Sequence, residues 1–531
     1  MVESDDTLDK QSQFWRPLPS IQYPFGKEPA AFANKREKRR AAVKDGFLHA
    51  WNGYKKYALG HDEVKPLTNL SKDPFGGWGA TLVDSLSTLL VMDLKEEVES
   101  VLSELDKIEF DLDRNVSVFE SIIRYLGGLL SAYELSDKQN KILLDKAKQL
   151  ADALLPAFDT PSGLPHSQWN PHQRTSPSNF TVLAEIGTVQ LEFMVLSEHT
   201  GNPIYKYTAQ AITDFLDNVG FEHGMDIAGL YPTSLDVSKG RFRDNTCTFG
   251  GAGDSTFEYF LKEYLLVQGS VPQYARMYIE SVDNMKHHML RQVIGSELLF
   301  LPPYNTRMGK PSNNNMEHLT CFVPGMLAIG AKIFDRPDDL TAAKGLLETC
   351  VYMYRTSPTG LCPEAWSMMG TVPYNPLTYN RPQEELEKSR NWWYSDSAVT
   401  PPKRKDENVR MPYDINYKLP SPTPRPSTIK PFNRNYLLRP GDPKYQEYGW
   451  EIFQAIEKHC KTKSAYAAIQ NVEEANEDDI QSNQLDSMES FMLAETLKYL
   501  YLLFSPPDVI SLDEFVLNTE AHPLRPIRSK A

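Results

Sequence analysis

The chain contains 531 residues and carries a formal net charge of −14 at pH 7. Binding to nucleic acid depends on clustered Lys and Arg that neutralise phosphates, so this charge argues against a nucleic-acid partner. No apolar run approaches the roughly 20 residues of a membrane-spanning helix. The N-terminus also lacks the charged and then apolar layout of a signal peptide. From the sequence we therefore expect a soluble chain without membrane contact.

Cysteine content and glycosylation motifs bear on the cellular compartment. Five cysteines are an odd and low number for a disulfide scaffold, and none has the spacing of a zinc site. Three Asn-x-Ser/Thr motifs begin at Asn69, Asn115 and Asn179. These motifs favour a secretory setting, although such triplets also arise by chance.

The sequence predicts one long helical domain. Residues 1–34 are polar with scattered prolines, and we predict a disordered or stem-like segment there. Helical periodicity dominates from Lys35 onwards, with only short strand signals such as Leu512–Leu517. Residues 385–434 are rich in proline and charge and poor in aliphatic side chains, which predicts an insertion. We therefore expect a single all-α domain over residues 35–531 with small β decorations.

Helix pairs end in a repeated turn of the Gly-Leu-x-Pro type, at Gly163, Gly229 and Gly360. The turns lie 66 and 131 residues apart, so the longer interval is close to two repeats. A single helical hairpin cannot bury its inner face, so the units must stack or close into a ring. A closed ring would bring one end of every hairpin to a common mouth. An open solenoid that binds proteins is the alternative.

The last long stretch, Met488–Pro523, combines an apolar helix with carboxylates. Leu493 and Leu497 recur at helical spacing, and Glu495 lies between them. A buried charge is costly unless it is paired or used. After the helix, residues 518–522 (Asn-Thr-Glu-Ala-His) gather oxygen and nitrogen donors. The pattern indicates a functional site, and a capped C-terminal element with solvated polar residues is the alternative.

Further carboxylates lie in apolar surroundings upstream. Glu120 opens an apolar helix and can pair with Arg124 one turn later; the alternative is a surface salt bridge. Asp254 follows a glycine-rich turn at a helix start, where a plain N-cap is the alternative. Other polar groups in apolar segments are Glu185, Glu258, Glu317, His318 and Glu364. A carboxylate-lined cavity suits a polyhydroxylated ligand, and carboxylate pairs hydrolyse glycosidic bonds, so we predict a sugar hydrolase.

Ordered motifs from Lys35 to Pro523 carry a family resemblance. They comprise residues 73–84 (DPFGGWGATLVD), 119–128 (FESIIRYLGG), 183–193, 253–262, 318–325, 490–499 and 518–523. This set resembles the class I α-1,2-mannosidases, glycoside hydrolase family 47. The resemblance implies an (αα)7 barrel, an inverting mechanism and one Ca²⁺ at the base of the barrel. It also implies that the substrate is the α-1,2-linked mannose of high-mannose N-glycans.

The same resemblance assigns individual residues. Glu120 matches the general acid, which acts through a water, and Asp254 matches a second essential carboxylate beside the scissile bond. The residues matched to the subsite of the cleaved mannose are Arg124, Glu185, His318, Arg439, Phe491, Glu495 and Glu520. Thr519 matches the calcium ligand, through both its hydroxyl and its carbonyl oxygen. Cys321 and Cys350 match the family's disulfide pair.

One departure from the family pattern affects catalysis. The family reads Leu-Arg-Pro-Glu and continues through a helix to a Gly-Asp-Pro-Lys-Tyr-like turn, whereas here Pro440 runs directly into Gly441. About a dozen residues, roughly three helical turns, are missing, and with them the Glu that serves as catalytic base. We predict little or no turnover by the chain as written. We also predict that the gap reflects a mis-joined exon rather than an evolved pseudoenzyme.

Three functions compete. The first is a monomeric mannosidase of the endoplasmic reticulum or Golgi lumen that trims high-mannose N-glycans of glycoproteins. The second is a non-catalytic, lectin-like factor that binds such glycans in glycoprotein quality control. The third is a helical-repeat scaffold, which the ordered site motifs disfavour. Glycan binding without turnover would distinguish the second function from the first.

Overall fold

A computed structural model describes residues 18–379, 425, 427–439 and 446–527. Its helices form an inner and an outer layer around a common axis. Inner helices are buried on all sides: in α9 (Gln190–Thr200), every residue from Gln190 to Ser197 is buried. Outer helices are amphipathic: along α7 (Lys141–Leu154), the buried Leu143, Ala147 and Leu150 follow helical spacing.

The helices of each layer have the following bounds. The inner layer of the described chain contains α2 (Ala80–Asp84), α3 (Leu86–Val91), α5 (Val118–Glu120), α6 (Gly127–Leu135), α8 (Leu183–Ile186), α9, α11 (Asp254–Leu266), α13 (Val323–Ile333) and α16 (Leu497–Leu503). The outer layer contains α1 (Ala30–Ala58), α4 (Lys95–Leu105), α7, α10 (Pro203–Asn218), α12 (Pro272–Asn284), α14 (Pro337–Thr356) and α15 (Gln446–His459).

Inner and outer helices that follow one another along the chain pack as hairpins. α3 packs on α4, α6 on α7, α9 on α10, α11 on α12, and α13 on α14. The last inner helix, α16, packs on the first outer helix, α1, which closes the ring. The predicted all-α, (αα)7-barrel architecture is confirmed, and the open solenoid is not what forms.

The sixth inner position differs from the others. Only six residues separate Arg439 from Gln446 in the sequence, fewer than two helical turns. The described residues between α14 and α15 form strands and loops rather than an inner helix. α15 packs instead against α16 and α1. The Pro440–Gly441 junction, where the sequence analysis predicts a missing segment, lies outside the described residues.

Short antiparallel strands decorate the barrel in seven small sheets within the described residues. Their bounds are β1 Glu63–Val64, β2 Ser71–Lys72, β3 Val116–Ser117, β4 Gln168–Trp169, β5 Phe180–Val182, β6 Ser234–Asp236, β7 Arg241–Phe242, β8 Thr246–Cys247, β9 Arg291–Val293, β10 Leu299–Phe300, β11 Tyr304–Asn305, β12 Lys310–Pro311, β13 Asn315–Glu317, β14 Ala365–Met368, β15 Thr371–Pro373, β16 Ile429–Asn433, β17 Val516–Leu517 and β18 Pro523–Leu524. The strand predicted over Leu512–Leu517 is shorter than expected, because only Val516–Leu517 pairs, with Pro523–Leu524.

The first described residues contact the barrel. The Asp513 carboxylate accepts hydrogen bonds from the Ser20 hydroxyl at 2.6 Å and from the Gln22 backbone nitrogen at 3.0 Å. α1 begins at Ala30, so the boundary predicted at residue 35 falls inside this helix. Residues 1–17, and residues 380–424 with most of the predicted insertion, lie outside the described residues. None of the described helices is long and apolar enough to cross a membrane.

A disulfide joins Cys321 to Cys350, as the resemblance implied. It links the turn before α13 to α14 and so ties together the two helices of one hairpin. The other three cysteines, Cys247, Cys362 and Cys460, are buried thiols.

Replacing Cys350 with Ala should lower the free energy of unfolding by about 2–4 kcal/mol, because the cross-link restricts the unfolded chain. Urea denaturation measures this change, and reduction of the wild-type protein should produce a similar loss. Cys247→Ala is the matched control, since it removes a buried sulfur without removing a cross-link. Equal losses in the two variants, or no effect of reduction on the wild type, would contradict the prediction.

Candidate active site

A cavity of about 760 Å³ is lined by the N-terminal ends of several inner helices, and its lining continues along α11 to Leu265 and onto the C-terminal hairpin. Ten residues that the resemblance matches to catalytic, sugar-binding or calcium-binding positions line it, and they come from seven separate segments of the chain. They are Glu120, Arg124, Glu185, Asp254, His318, Arg439, Phe491, Glu495, Thr519 and Glu520. The barrel therefore brings together side chains that are up to 400 residues apart in the sequence.

The starts of two inner segments position the acid residues. The Ser117 hydroxyl caps the helix that begins at Val118, accepting a hydrogen bond from the Glu120 backbone nitrogen at 3.2 Å. This helix continues into a π-helical turn over Ser121–Leu126, and a second π-helical turn, Met492–Thr496, carries Glu495. Turns of this type are rare and are often found at functional sites. The 3.6-residue periodicity of the sequence contains no signal for them.

The buried guanidinium of Arg124 joins four segments of the chain. Its Nε donates to Glu120 Oε2 at 2.7 Å, and its Nη1 donates to Ser490 Oγ at 3.0 Å. Nη1 also lies 3.1 Å from Glu520 Oε1 and 3.5 Å from Asp84 Oδ2. Burial disfavours the charged form, but the three carboxylates outweigh it and raise the pKa of Arg124 well above its ordinary value. A permanent positive charge therefore lies beside Glu120.

Phe491 forms an aromatic wall held between two cations. The guanidinium carbons of Arg124 and Arg439 lie 5.7 Å and 5.3 Å from its ring centroid, within cation–π range. Arg439 is oriented by Glu364, whose Oε2 accepts a hydrogen bond from Arg439 Nε at 3.0 Å. A fixed aromatic ring among charged groups offers an apolar contact to the C–H face of a sugar.

Asp254 begins α11 after the glycine-rich turn. The turn needs glycine, because a Cβ on Gly253 would lie 2.3 Å from a backbone carbonyl oxygen. Burial raises the pKa of Asp254 to about 7, with the nearby Glu258 and Glu317 adding to the rise. Asp254 therefore binds or releases a proton near neutral pH, and the N-cap position of α11 is occupied by Gly253 rather than by Asp254.

Two further carboxyl groups share the buried side of the cavity. Burial raises the pKa of Glu495 to about 7 and raises that of Glu520 well above its ordinary value. Arg124 opposes both shifts but does not cancel them. A neutral carboxyl group both donates and accepts hydrogen bonds. The pair can therefore offer donors and acceptors to sugar hydroxyls at neutral pH.

Glu185 and His318 are fixed by neighbouring side chains. The Glu185 carboxylate accepts hydrogen bonds from the hydroxyls of Ser167 at 2.8 Å and Thr181 at 3.0 Å. His318 Nε2 is hydrogen-bonded to the Tyr354 hydroxyl at 2.9 Å. Both residues therefore face the cavity in defined orientations.

The hairpin β17–β18 delivers Thr519 and Glu520, and Asn518 determines its shape. Asn518 Oδ1 accepts hydrogen bonds from the backbone nitrogens of Glu520 and His522, both at 2.9 Å. Its Nδ2 donates to Ile123 O at 3.0 Å and to Glu192 Oε1 at 2.8 Å. All the bonding capacity of this buried amide is used on the turn and its surroundings. Sequence reasoning placed Asn518 in the polar cluster but missed Glu192.

Thr519 is the residue whose oxygen atoms suit a cation. Neither its hydroxyl nor its carbonyl oxygen hydrogen-bonds to another described residue; its backbone nitrogen lies 3.4 Å from the Tyr259 hydroxyl. No group of three or more His, Cys, Asp or Glu in the described ranges is arranged to hold a metal ion. Ca²⁺ prefers oxygen ligands and accepts water among them. The hydroxyl and carbonyl oxygens of Thr519 are therefore donors of the type that calcium prefers.

A buried polar layer below the cavity was not predicted. Asp84 Oδ1 lies 3.1 Å from His522 Nε2, and the Ser87 hydroxyl is hydrogen-bonded to His522 Nδ1 at 2.9 Å. Lys498 Nζ donates to Ser87 Oγ and to Ala521 O, both at 2.8 Å. Burial lowers the pKa of Lys498 to about 7. The layer anchors the C-terminal hairpin to inner helices from both ends of the chain.

Asp62 is a second organising residue that the sequence did not reveal. Its Oδ2 accepts hydrogen bonds from the backbone nitrogens of Phe75 at 2.8 Å and Gly77 at 2.9 Å. Its Oδ1 accepts from the Ala80 backbone nitrogen at 3.1 Å and the Tyr125 hydroxyl at 2.8 Å. One carboxylate thus shapes the loop between β2 and α2. A lone Asp in a polar stretch carries no sequence signal for such a role.

A closed barrel of helical hairpins, with carboxylates, guanidinium groups and an aromatic ring around one mouth cavity, has the form of a glycoside hydrolase. The model of glycosyl hydrolase family 47 matches residues 46–526. The chain belongs to this family, as the motif resemblance indicated.

Three relatives and one solved structure illustrate the match. The chain is 37% identical over 508 residues to a mannosyl-oligosaccharide 1,2-alpha-mannosidase of Arabidopsis thaliana, covering 92% of this chain and 79% of that protein. It is 33% identical to a probable mannosyl-oligosaccharide alpha-1,2-mannosidase 1B of Aspergillus flavus, covering 96% of each. It is 36% identical to the human endoplasmic reticulum mannosyl-oligosaccharide 1,2-alpha-mannosidase, covering 92% of this chain and 64% of that protein. An alpha-1,2-mannosidase structure from Trichoderma reesei superposes with a TM-score of 0.77 at 29% identity, covering 92% of this chain and 99% of that one.

Asp254 makes stability depend on pH in a predictable direction. Its pKa rises from 3.8 to about 7 on folding, so the folded protein binds this proton more tightly than the unfolded chain does. The contribution of Asp254 to the free energy of unfolding should therefore fall as the pH rises from about 4 to about 7, by at most about 1.4 kcal/mol per pH unit.

Urea unfolding of the wild type and of Asp254→Asn across this pH range tests the effect. The neutral Asn variant should gain stability relative to the wild type as the pH rises, because the wild type must ionise a buried carboxyl group. Asp508→Asn, which changes an exposed carboxylate, is the control and should show no such trend. Parallel stability curves for Asp254→Asn and the wild type would refute the assignment.

Proposed function

We propose that this chain binds the terminal mannose of α-1,2-linked high-mannose N-glycans. We further propose that it is built as an inverting exo-α-1,2-mannosidase whose catalytic-base segment is missing. The observation that carries the proposal is the convergence of ten matched residues from seven segments on one cavity. A helical scaffold that binds proteins needs no such buried array of carboxylates, guanidinium groups and an aromatic ring.

The geometry supports distinct roles for the two principal carboxylates. Glu120 is half-buried and hydrogen-bonded to Arg124, so its carboxyl group is held at the mouth, where it can protonate a leaving oxygen through a water. Asp254 is held at the start of α11, and its pKa of about 7 allows it to exchange a hydrogen bond or a proton with the bound sugar. Phe491, Glu495 and Glu520 supply the walls that orient the ring.

Inversion also requires a second carboxylate that activates water on the opposite face of the sugar, about 6.5–9.5 Å from the acid. In the family pattern that residue follows the Pro equivalent to Pro440, a position where this sequence continues with Gly441. Loss of general-base catalysis alone typically costs about 10²–10⁴-fold. We therefore propose a site that keeps sugar binding and has lost most of its turnover.

The proposed cofactor is one calcium ion bound through both oxygen atoms of Thr519. When bound, the ion would supply a positive charge that attracts the oxygen atoms of a sugar to this part of the cavity. The chain's own contribution is the Asn518-centred turn, which holds Thr519 in position without using its hydroxyl or carbonyl oxygen in another bond between described residues.

We propose a monomer that acts on glycoproteins in the lumen of the secretory pathway, as a single domain that includes α1 from Ala30 and carries an insertion over 385–434. The Cys321–Cys350 disulfide supports an oxidising compartment. Asn115 and Asn179 are exposed, as glycan acceptors must be. Asn69 is less suited as a glycan acceptor, because its side-chain oxygen accepts a hydrogen bond from the Ser464 hydroxyl at 2.6 Å.

Removing calcium should destabilise the protein. Ligand binding to the native state raises the free energy of unfolding by mass action, about 2.7 kcal/mol at a free concentration 100 times Kd. EDTA should therefore lower the melting temperature and added calcium should restore it. Thr519→Val should lose the response, while Thr175→Val, an exposed threonine outside the cavity, should keep it. A melting curve insensitive to EDTA, with no calcium by elemental analysis, would contradict the site.

We expect this chain to bind a mannose mimic but to release little or no mannose from a substrate. A basic iminosugar that mimics mannose should bind, as measured by isothermal titration calorimetry. Glu120→Gln and Asp254→Asn should each weaken it by about ten-fold or more, because each variant removes a charge-assisted hydrogen bond. Release of mannose from a Manα1,2Man disaccharide should be slow or absent.

Glu99→Gln on the outer helix α4 is the control for the iminosugar measurement and should bind like the wild type. Equal affinity in all four proteins would refute the proposed sugar site. Robust mannose release by the 531-residue chain would refute the claim about the missing base. Sequencing the native transcript across Pro440–Gly441 tests the mis-joined exon.

A further inference from the structure

A second, smaller cleft of about 360 Å³ lies between the end of β16 with the residues after it and the loop that follows α15. We call it the amide cleft, since most of its lining carries side-chain amides. Its residues are Phe432, Asn433, Arg434, Asn435, Gln470, Asn471, Glu474, Ser482 and Asn483. The positive charge of Arg434 and the negative charge of Glu474 cancel, so the lining of the cleft is polar without a net charge.

The floor of the amide cleft is held by reciprocal hydrogen bonds. The Asn471 backbone nitrogen donates to Asn483 Oδ1 at 2.9 Å, and Asn483 Nδ2 donates to Asn471 O at 2.8 Å and Glu474 O at 3.0 Å. The Gln470 backbone nitrogen donates to Asn483 O at 2.9 Å. These bonds join two turns of the loop that precedes Phe491. The cleft is therefore pre-formed rather than dependent on a ligand.

Two side-chain amides in the amide cleft are available to hydrogen-bond a ligand. The side-chain amides of Asn435 and Gln470 make no hydrogen bond to another residue in the described part of the chain. Each amide offers two donor hydrogens and an acceptor oxygen. Sugar hydroxyls act as both donor and acceptor, so neighbouring hydroxyls match such amides. The Phe432 side chain is 55% exposed at the rim and offers an aromatic face for sugar C–H groups.

The short segment from Asn435 to Arg439 contributes residues both to the amide cleft and to the cavity lined by Glu120 and Asp254, which we call the acidic cavity. The Asn435 carbonyl oxygen accepts a hydrogen bond from the Glu364 backbone nitrogen at 2.9 Å, and the Glu364 carboxylate orients Arg439. Four residue steps separate Asn435 from Arg439, at most about 14 Å of extended chain. A ligand with one sugar in the cavity and further sugars attached can therefore reach the cleft.

We infer that the amide cleft binds a second mannose unit of the same branched glycan, through Asn435 and Gln470. The inference rests on the proposed function and adds a specificity element to it. Because the second contact is intramolecular once the terminal mannose is bound, it raises the affinity for the branched glycan without changing the affinity for a short fragment.

The test compares two ligands and three proteins by isothermal titration calorimetry. The ligands are a free branched high-mannose N-glycan and the Manα1,2Man disaccharide. The proteins are the wild type, the double variant Asn435→Ala/Gln470→Ala, and the control Asn476→Ala/Gln481→Ala, which removes two exposed amides outside the cleft. We expect the first double variant to bind the glycan about ten-fold more weakly and the disaccharide normally. The control should match the wild type with both ligands.

Each other outcome overturns the inference. Unchanged glycan affinity in Asn435→Ala/Gln470→Ala would mean that the cleft makes no contact. Equal weakening for glycan and disaccharide would mean that the variant acts through the acidic cavity. A wild-type protein that binds neither ligand would refute the proposed function itself, and with it the second contact. Melting temperatures of all three proteins show whether the variants are folded.

Discussion

The buried guanidinium of Arg124 is the interaction on which the rest of the site depends. Its ion pairs and hydrogen bonds reach Asp84, Glu120, Ser490 and Glu520, so it connects the first, second and last inner segments with the C-terminal hairpin. Removing one partner of a buried charge network leaves uncompensated charge and is typically destabilising by about 3–5 kcal/mol. The same ion pairs and hydrogen bonds therefore hold the helices together and position the side chains of the candidate site.

The buried polar layer under the cavity likewise joins parts of the chain that are distant in sequence. Asn518 uses every bond of its amide to shape the hairpin turn, and His522 reaches Asp84. The fit is close: a Cβ on Gly127 would lie 2.5 Å from Asn518 Nδ2. Thr519 is thus placed by residues that lie some 400 positions apart in the chain. Polar groups below the cavity set the position of the candidate calcium ligand.

Apolar side chains from α13 and from the last inner segment line the cavity. One face of the α13 segment lines the cavity with Phe322, Met326 and Ile329. One face of the last inner segment lines it with Phe491, Glu495 and Tyr499. These segments flank the sixth inner position. Unfilled space against apolar side chains costs stability, so restoring an inner helix would change both the packing and the chemistry of the site.

Periodicity and repeats in the sequence predicted the helical hairpins, because apolar residues recur at helical spacing. The choice of a closed (αα)7 barrel over an open solenoid, and the grouping of Glu120, Asp254 and Glu495 at one site, came from the motif resemblance. Motif resemblance supplied the Cys321–Cys350 pairing. The π-helical turns were not predictable, since they change the backbone without changing the hydrophobic pattern. The roles of Asp62 and Glu192 were also hidden, because they depend on partners distant in the sequence. The strand at Leu512–Leu517 was overpredicted because part of it turns towards the N-terminal residues through Asp513.

The central claim is that this chain retains a mannose site assembled around Arg124 although its base segment is absent. A crystal structure with calcium and a basic iminosugar mimic of mannose tests it most directly. We predict that the inhibitor ring lies against Phe491, within hydrogen-bond distance of Glu120 or Asp254, and that a calcium ion contacts the two oxygen atoms of Thr519. An inhibitor bound elsewhere, or a cavity holding only water under saturating inhibitor, would contradict it.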